Sequence, residues 1–136
     1  MSKKIKKRNK WPLAFIALVL IISASVYLMF FYFPSGERVN DYMGKEDFKI
    51  TADVNRDTPI FGALLPEGAQ RSILYHKTLN GELYSVVVIF FEDYTKAKAY
   101  YEEQDEPEEG KAAFVRGNAV VAGDEKTVGK LRWIVY

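Results

Sequence analysis

The chain has 136 residues, with 19 Lys and Arg, 18 Asp and Glu, one histidine and no cysteine. The absence of cysteine excludes disulfides, thiolate metal sites and lipid attachment at an N-terminal cysteine. The formal net charge of +1 conceals a segregation: Lys3, Lys4, Lys6, Lys7, Arg8 and Lys10 precede a run of 23 residues, Trp11 to Phe33, that holds no charged side chain, and every acidic residue lies beyond that run.

The first element is a basic tail over 1–10, and its six cations are topology determinants that touch anionic headgroups. Ten residues offer no folded reader of bases and no interleaved aromatics, so no nucleic-acid partner is expected. The uncharged run predicts a transmembrane helix over 11–33. At about 1.5 Å per residue it reaches about 33 to 35 Å, against a hydrocarbon core of about 30 Å. Leu13, Phe15, Ile16, Leu18 and Val19 to Ile22 point in every direction around such a helix, which excludes an amphipathic helix lying on the surface. Pro12 suits the first turn, Trp11 one interface, and Tyr27, Phe30, Phe31, Tyr32 and Phe33 an aromatic belt at the other. Ser23-Ala24-Ser25 resembles the end of a cleaved secretory signal, but the eight apolar or aromatic residues from Val26 to Phe33 would then form the new terminus. An uncleaved anchor is the expectation, with a cytoplasmic N-terminus, a domain outside the cell membrane and the lipid bilayer as one partner.

Residues 34–46 read as a linker and membrane-proximal segment, starting with Pro34-Ser35-Gly36-Glu37, and 47–136 as one extracytoplasmic α+β domain. The alternation of Phe48, Ile50, Ala52 and Val54 with Lys49, Thr51, Asp53 and Asn55 predicts a half-buried strand. Runs over Arg71–Leu79 and Glu82–Phe91 flank Asn80-Gly81, the dipeptide that suits a type I′ hairpin. The unbroken apolar stretch from Val86 to Phe91 places the second of these strands centrally, covered on both faces. Asp93 is positioned to cap a helix with Tyr94, Ala97 and Tyr101 on one face and a Lys98–Glu102 pair on the other. Two short runs, 112–116 and 119–122, flank Gly117-Asn118 and read as a hairpin or one bulged strand. Asp124 caps a short terminal helix, and Trp133 to Tyr136 read as a closing edge strand. The fold class is then one N-terminal transmembrane helix followed by a small α+β domain, its antiparallel sheet carrying helices on one face.

Candidate chemistry is sparse. Asp53, Asn55 and Asp57 imitate the opening of a calcium loop, but Thr58 stands where glycine is needed and Leu64 where a closing glutamate is needed, so the stretch reads as a polar strand end. His76 lacks a second histidine or any nucleophile in a known local signature. No phosphate loop, dinucleotide fingerprint or zinc-protease motif occurs, and no catalytic residue, cofactor or metal is expected. Glu102, Glu103, Asp105, Glu106, Glu108 and Glu109 crowd six carboxylates into a short stretch that suits a basic partner. With Tyr100, Trp133 and Tyr136 they make up the candidate partner surface. The expected function is an anchored interaction module, an accessory, regulatory or scaffold component of a bacterial cell-envelope complex. The alternative is a tethered binder of a small ligand or cation through the same aromatic or acidic residues.

Overall fold

The computed structural model describes residues 11–134, and the side chains of these residues except 28–30. The six basic residues of the tail and Tyr136 lie outside the described residues.

Helix α1 runs from Trp11 to Phe31. Every side chain from Trp11 to Tyr27 is exposed, so over this stretch the helix stands clear of the other described residues. Among the described residues no helix is long and apolar enough to cross a membrane.

Beyond α1 lies a small α+β domain built on a five-stranded antiparallel sheet. Its strands are β1 (Lys49–Asn55), β2 (Ala69–Leu79), β3 (Glu82–Phe91), β4 (Lys111–Arg116) and β5 (Ala119–Asp124), in the order β1-β2-β3-β5-β4. The central place of β3 follows from its composition: Val86, Val88 and Phe90 are buried on one face and Ile89 and Phe91 on the other. Only a strand covered on both sides can bury an unbroken apolar run. The β2–β3 turn is the hairpin expected from Asn80-Gly81, with φ of 53° and 78° at the two residues, as a type I′ turn demands. Gly117-Asn118 likewise closes a true hairpin between β4 and β5.

Three helices cover the sheet: α2 (Gly36–Lys45), α3 (Tyr94–Glu103) and α4 (Glu125–Arg132). They do not share one face, and this corrects the sequence expectation. Val39 and Met43 of α2 and Val128 and Leu131 of α4 pack with Ile73, Tyr75, Val86, Val88 and Val121. Ala97, Tyr100 and Tyr101 of α3 pack instead with Ile89, Phe91 and Val120 on the reverse side. Side chains alternate between the faces of a strand, so a strand apolar at odd and even positions draws helices to both.

Three further differences from the sequence reading have local causes. Residues 34–46 are not a plain linker. Ser35 accepts a hydrogen bond from the Arg38 amide at 3.4 Å, Glu37 stands in the first turn and Lys45 in the last, and Val39 and Met43, four residues apart, become fully buried. Phe33 belongs to the domain and not to an aromatic belt: its ring lies 6.0 Å from Phe90 and 6.2 Å from Phe114. Within β1 the register slips between Ile50 and Ala52. That bulge turns Ala52 and Val54 away from the face that Ile50 shares with Tyr75, breaking the simple alternation.

At the other end of the domain, Trp133 is the C-cap of α4 and forms no strand with Ile134. Both are held from β4, where the Arg116 guanidinium donates to the carbonyl of Arg132 at 3.2 Å and to that of Ile134. The same guanidinium lies 5.9 Å from the Phe33 ring. Burial pushes the Arg116 pKa down from its usual value.

Candidate functional site

A groove of about 570 Å³ lies between the sheet and the connection from α3 to β4. Its floor is apolar because three strands present small or branched side chains there: Val87 and Ile89 from β3, Val120 and Ala122 from β5, and Ala113 from β4. One wall is aromatic. Tyr100 packs against Phe91 with ring centroids 5.3 Å apart, and the Tyr101 hydroxyl donates to the Ala113 carbonyl at 3.4 Å.

The rim is acidic. After Glu103 the helix stops, with Gln104 in an extended conformation as its C-cap and its side-chain amide donating to the Tyr100 carbonyl at 3.2 Å. The chain then runs irregularly past Pro107 to β4, where the Lys111 amide donates to the Glu108 carbonyl at 3.0 Å. This path brings Glu102, Asp105, Glu106 and Glu108 around the groove, with Lys111 as the one cation among the lining residues. Four carboxylates beside an apolar floor create a field that favours a cationic group attached to an apolar body.

Of the candidate surface read from sequence, the fold thus gathers Tyr100, Glu102, Asp105, Glu106 and Glu108. Glu103 turns to a neighbouring shallow cleft with Glu67 and Lys96, and Glu109 is exposed outside the groove. Trp133, 62% exposed, sits at the end of α4 on the opposite face of the sheet. The residues missed by sequence reasoning are those of the floor. Their apolar character was legible, but their meeting depends on β5 entering the sheet between β3 and β4.

Several polar groups elsewhere hold the fold together. The Asp53 carboxylate is gripped by Arg71 in a two-point pair at 2.8 and 2.6 Å, and Arg71 also reaches Glu37 at 2.9 Å. This ties β1 and β2 to the start of α2. The bond to Arg71 holds the Glu37 carboxyl below the usual carboxylate range, and the two acids raise the Arg71 pKa. Asn55 and Thr58 bond each other in the turn after β1, His76 bonds Thr51, and Tyr75 donates to Asn40. Among the described residues no group of three or more His, Asp or Glu side chains is placed to hold a metal ion.

No family model matches the chain, and neither a curated protein nor a solved structure matches it.

Proposed function

We propose that this protein is a single-pass membrane-anchored interaction module whose outer domain docks a partner protein of the cell envelope through the acid-rimmed groove. The observation that carries the reading is the groove itself, an apolar floor bordered by Glu102, Asp105, Glu106 and Glu108. The occupant fitted by that chemistry is a segment with one apolar anchor flanked by Lys or Arg, since the apolar side chain supplies burial and the cations answer the rim.

The anchor reading rests on charge and length. Helix α1 has 21 residues, about 31 Å at 1.5 Å per residue, and its sequence carries no charge from Trp11 to Phe31. Exposure of its apolar side chains to water would be costly, at about 25 cal/mol per Å² of apolar surface, and a bilayer removes that cost. The six Lys and Arg residues of the tail before it orient the N-terminus toward the cytoplasm.

A second reading, a small amphipathic cation as ligand, is favoured by the groove volume of about 570 Å³, within the range of small-molecule sites. Photo-crosslinking of the full chain in cells separates the two. Probes replace Glu106 and Asp105 at the rim, with Leu79 in the remote hairpin as control. One dominant protein adduct from the rim probes and none from Leu79 supports partner docking. No protein adduct from either rim probe refutes it and leaves the ligand reading to be tested by calorimetry with amphipathic amines.

A further inference from the structure

Among the described residues the outer domain exposes seven large apolar side chains, and four of them collect at one end. Ile60, Phe61 and Leu64 are 80%, 59% and 73% exposed, and Trp133 is 62% exposed. Their position follows from the strand register. The loop after β1 leaves the sheet at Asn55, which pairs with Arg71, and returns at Ala69, which pairs with Phe91. Phe91 exchanges hydrogen bonds with Asn118 in the β4–β5 turn. Gly117 of that turn lies directly against the chain emerging from α1, since a Cβ there would stand 2.7 Å from the Phe33 nitrogen and 2.9 Å from the Phe31 oxygen. Phe31 in turn meets Tyr94 edge-on at the start of α3, with centroids 5.0 Å apart. Trp133 is brought to the same end by Arg116, which borders the β4–β5 turn and binds the carbonyls on either side of it. The loop and Trp133 therefore stand at the end of the sheet from which α1 projects, the loop near the β1 edge and Trp133 near the β4 edge.

The loop is a built structure. Phe61 and Gly62 amides donate to the carbonyls of Pro59 and Thr58 at 2.7 and 2.9 Å, and the Arg56 guanidinium spans the loop to the Pro66 carbonyl at 3.1 Å. Ile60 holds a φ of 67°, a region that β-branched residues rarely occupy. The result presents three apolar side chains outward from one short, internally bonded loop.

We propose that Ile60, Phe61, Leu64 and Trp133 form a footing that seats the outer domain in the interfacial layer of the same bilayer that α1 enters. The inference rests on the anchor reading above. A domain tethered at that end with almost no slack, Phe33 and Pro34 being already buried in it, keeps these side chains at headgroup level. Aromatic and aliphatic side chains gain there by leaving water, and Trp favours that zone. The footing fixes the tilt of the domain, so that the groove, whose lining reaches Lys111 and Gly123 at the opposite end of the sheet, is held away from the lipid.

The test uses the full chain in phospholipid vesicles. Because the chain has no cysteine, a nitroxide goes singly onto Leu64→Cys, onto Leu79→Cys in the remote hairpin and onto Ile16→Cys within α1. In parallel, Trp11→Phe leaves Trp133 as the sole tryptophan, unaltered in its own surroundings, for quenching by lipids brominated near the headgroups. The expected result is collision of the Leu64 label with a water-soluble nickel complex at least about threefold below that of Leu79, as for a side chain about 5–10 Å into the interface, together with quenching of Trp133. Equal accessibility of Leu64 and Leu79 with Trp133 unquenched, while Ile16 is shielded, overturns the footing and spares the anchor. An Ile16 label open to the nickel complex overturns the anchor and the footing with it.

Discussion

Phe33→Ala separates two places for one side chain. In an aromatic belt Phe33 would contribute to the depth of a span, and its loss would leave the α+β domain intact. In the structure its ring is 5% exposed and packs on Phe90 at 6.0 Å, Phe114 at 6.2 Å and the Arg116 guanidinium at 5.9 Å. Truncating a buried phenylalanine costs about 3–5 kcal/mol, transfer and cavity together. Two aromatic pairs at about 0.5–1.5 kcal/mol each and the cation–π contact are consistent with the upper part of that range. Against a total stability of about 5–15 kcal/mol for a small domain, the loss is large. The assay is urea unfolding of the full chain in nanodiscs, followed by pulse proteolysis of the sheet. With a slope of about 1–3 kcal/mol per molar urea, the midpoint should fall by at least about 1 M. Phe31→Ala is the control: Phe31 is 45% exposed, and removing its edge contact with Tyr94 should cost about 1.5 kcal/mol at most. A midpoint shift below about 0.5 M for Phe33→Ala would refute the placement of this residue in the core.

Met43→Ala should cost about 2–5 kcal/mol in the same assay, since Met43 is fully buried, whereas a 34–46 linker would tolerate it. Gly117→Ala should destabilise by more than about 1 kcal/mol, because φ is +56° and the new Cβ meets backbone of residues 31–33, and reduced protease resistance would report it. For Glu37 the folded-state pKa is lowered by Arg71, so its contribution is present above the ordinary glutamate range and is lost as pH falls through the folded value. Acid titration of Glu37→Gln should therefore show less loss of stability on the acid side than the parent chain. Burial raises the Tyr75 pKa above its ordinary 10.0, so stability is full below that pH and declines as pH rises toward the folded value. Tyr75→Phe should flatten this alkaline decline while giving up the Asn40 bond, a loss of about 0.5–1.5 kcal/mol at neutral pH.

Signals that act over a few residues were readable without the structure. Asp93 and Asp124 cap their helices by accepting from the amides of Lys96 and Thr127 at 2.9 and 3.1 Å. Asn80-Gly81 set its hairpin, and the doubly apolar run of β3 placed that strand in the middle. Each of these depends on backbone preferences, spacing or side-chain polarity, which the order of residues contains directly.

Other features were decided by distance through space. Phe33 is one more aromatic residue after Phe30, Phe31 and Tyr32, and only the arrival of Phe90, Phe114 and Arg116 separates it from that run. The α2 segment did carry a signal, Ser35 ahead of Val39 and Met43 at helical spacing, but it is short, and a short amphipathic helix is defined by the surface it covers. Helices on both faces, the groove floor shared by β3, β5 and β4, and the collection of Ile60, Phe61, Leu64 and Trp133 at the α1 end all require the strand order β1-β2-β3-β5-β4. Strand order is a choice among pairings of similar local merit, settled by how the apolar faces close together, and no segment contains that choice alone.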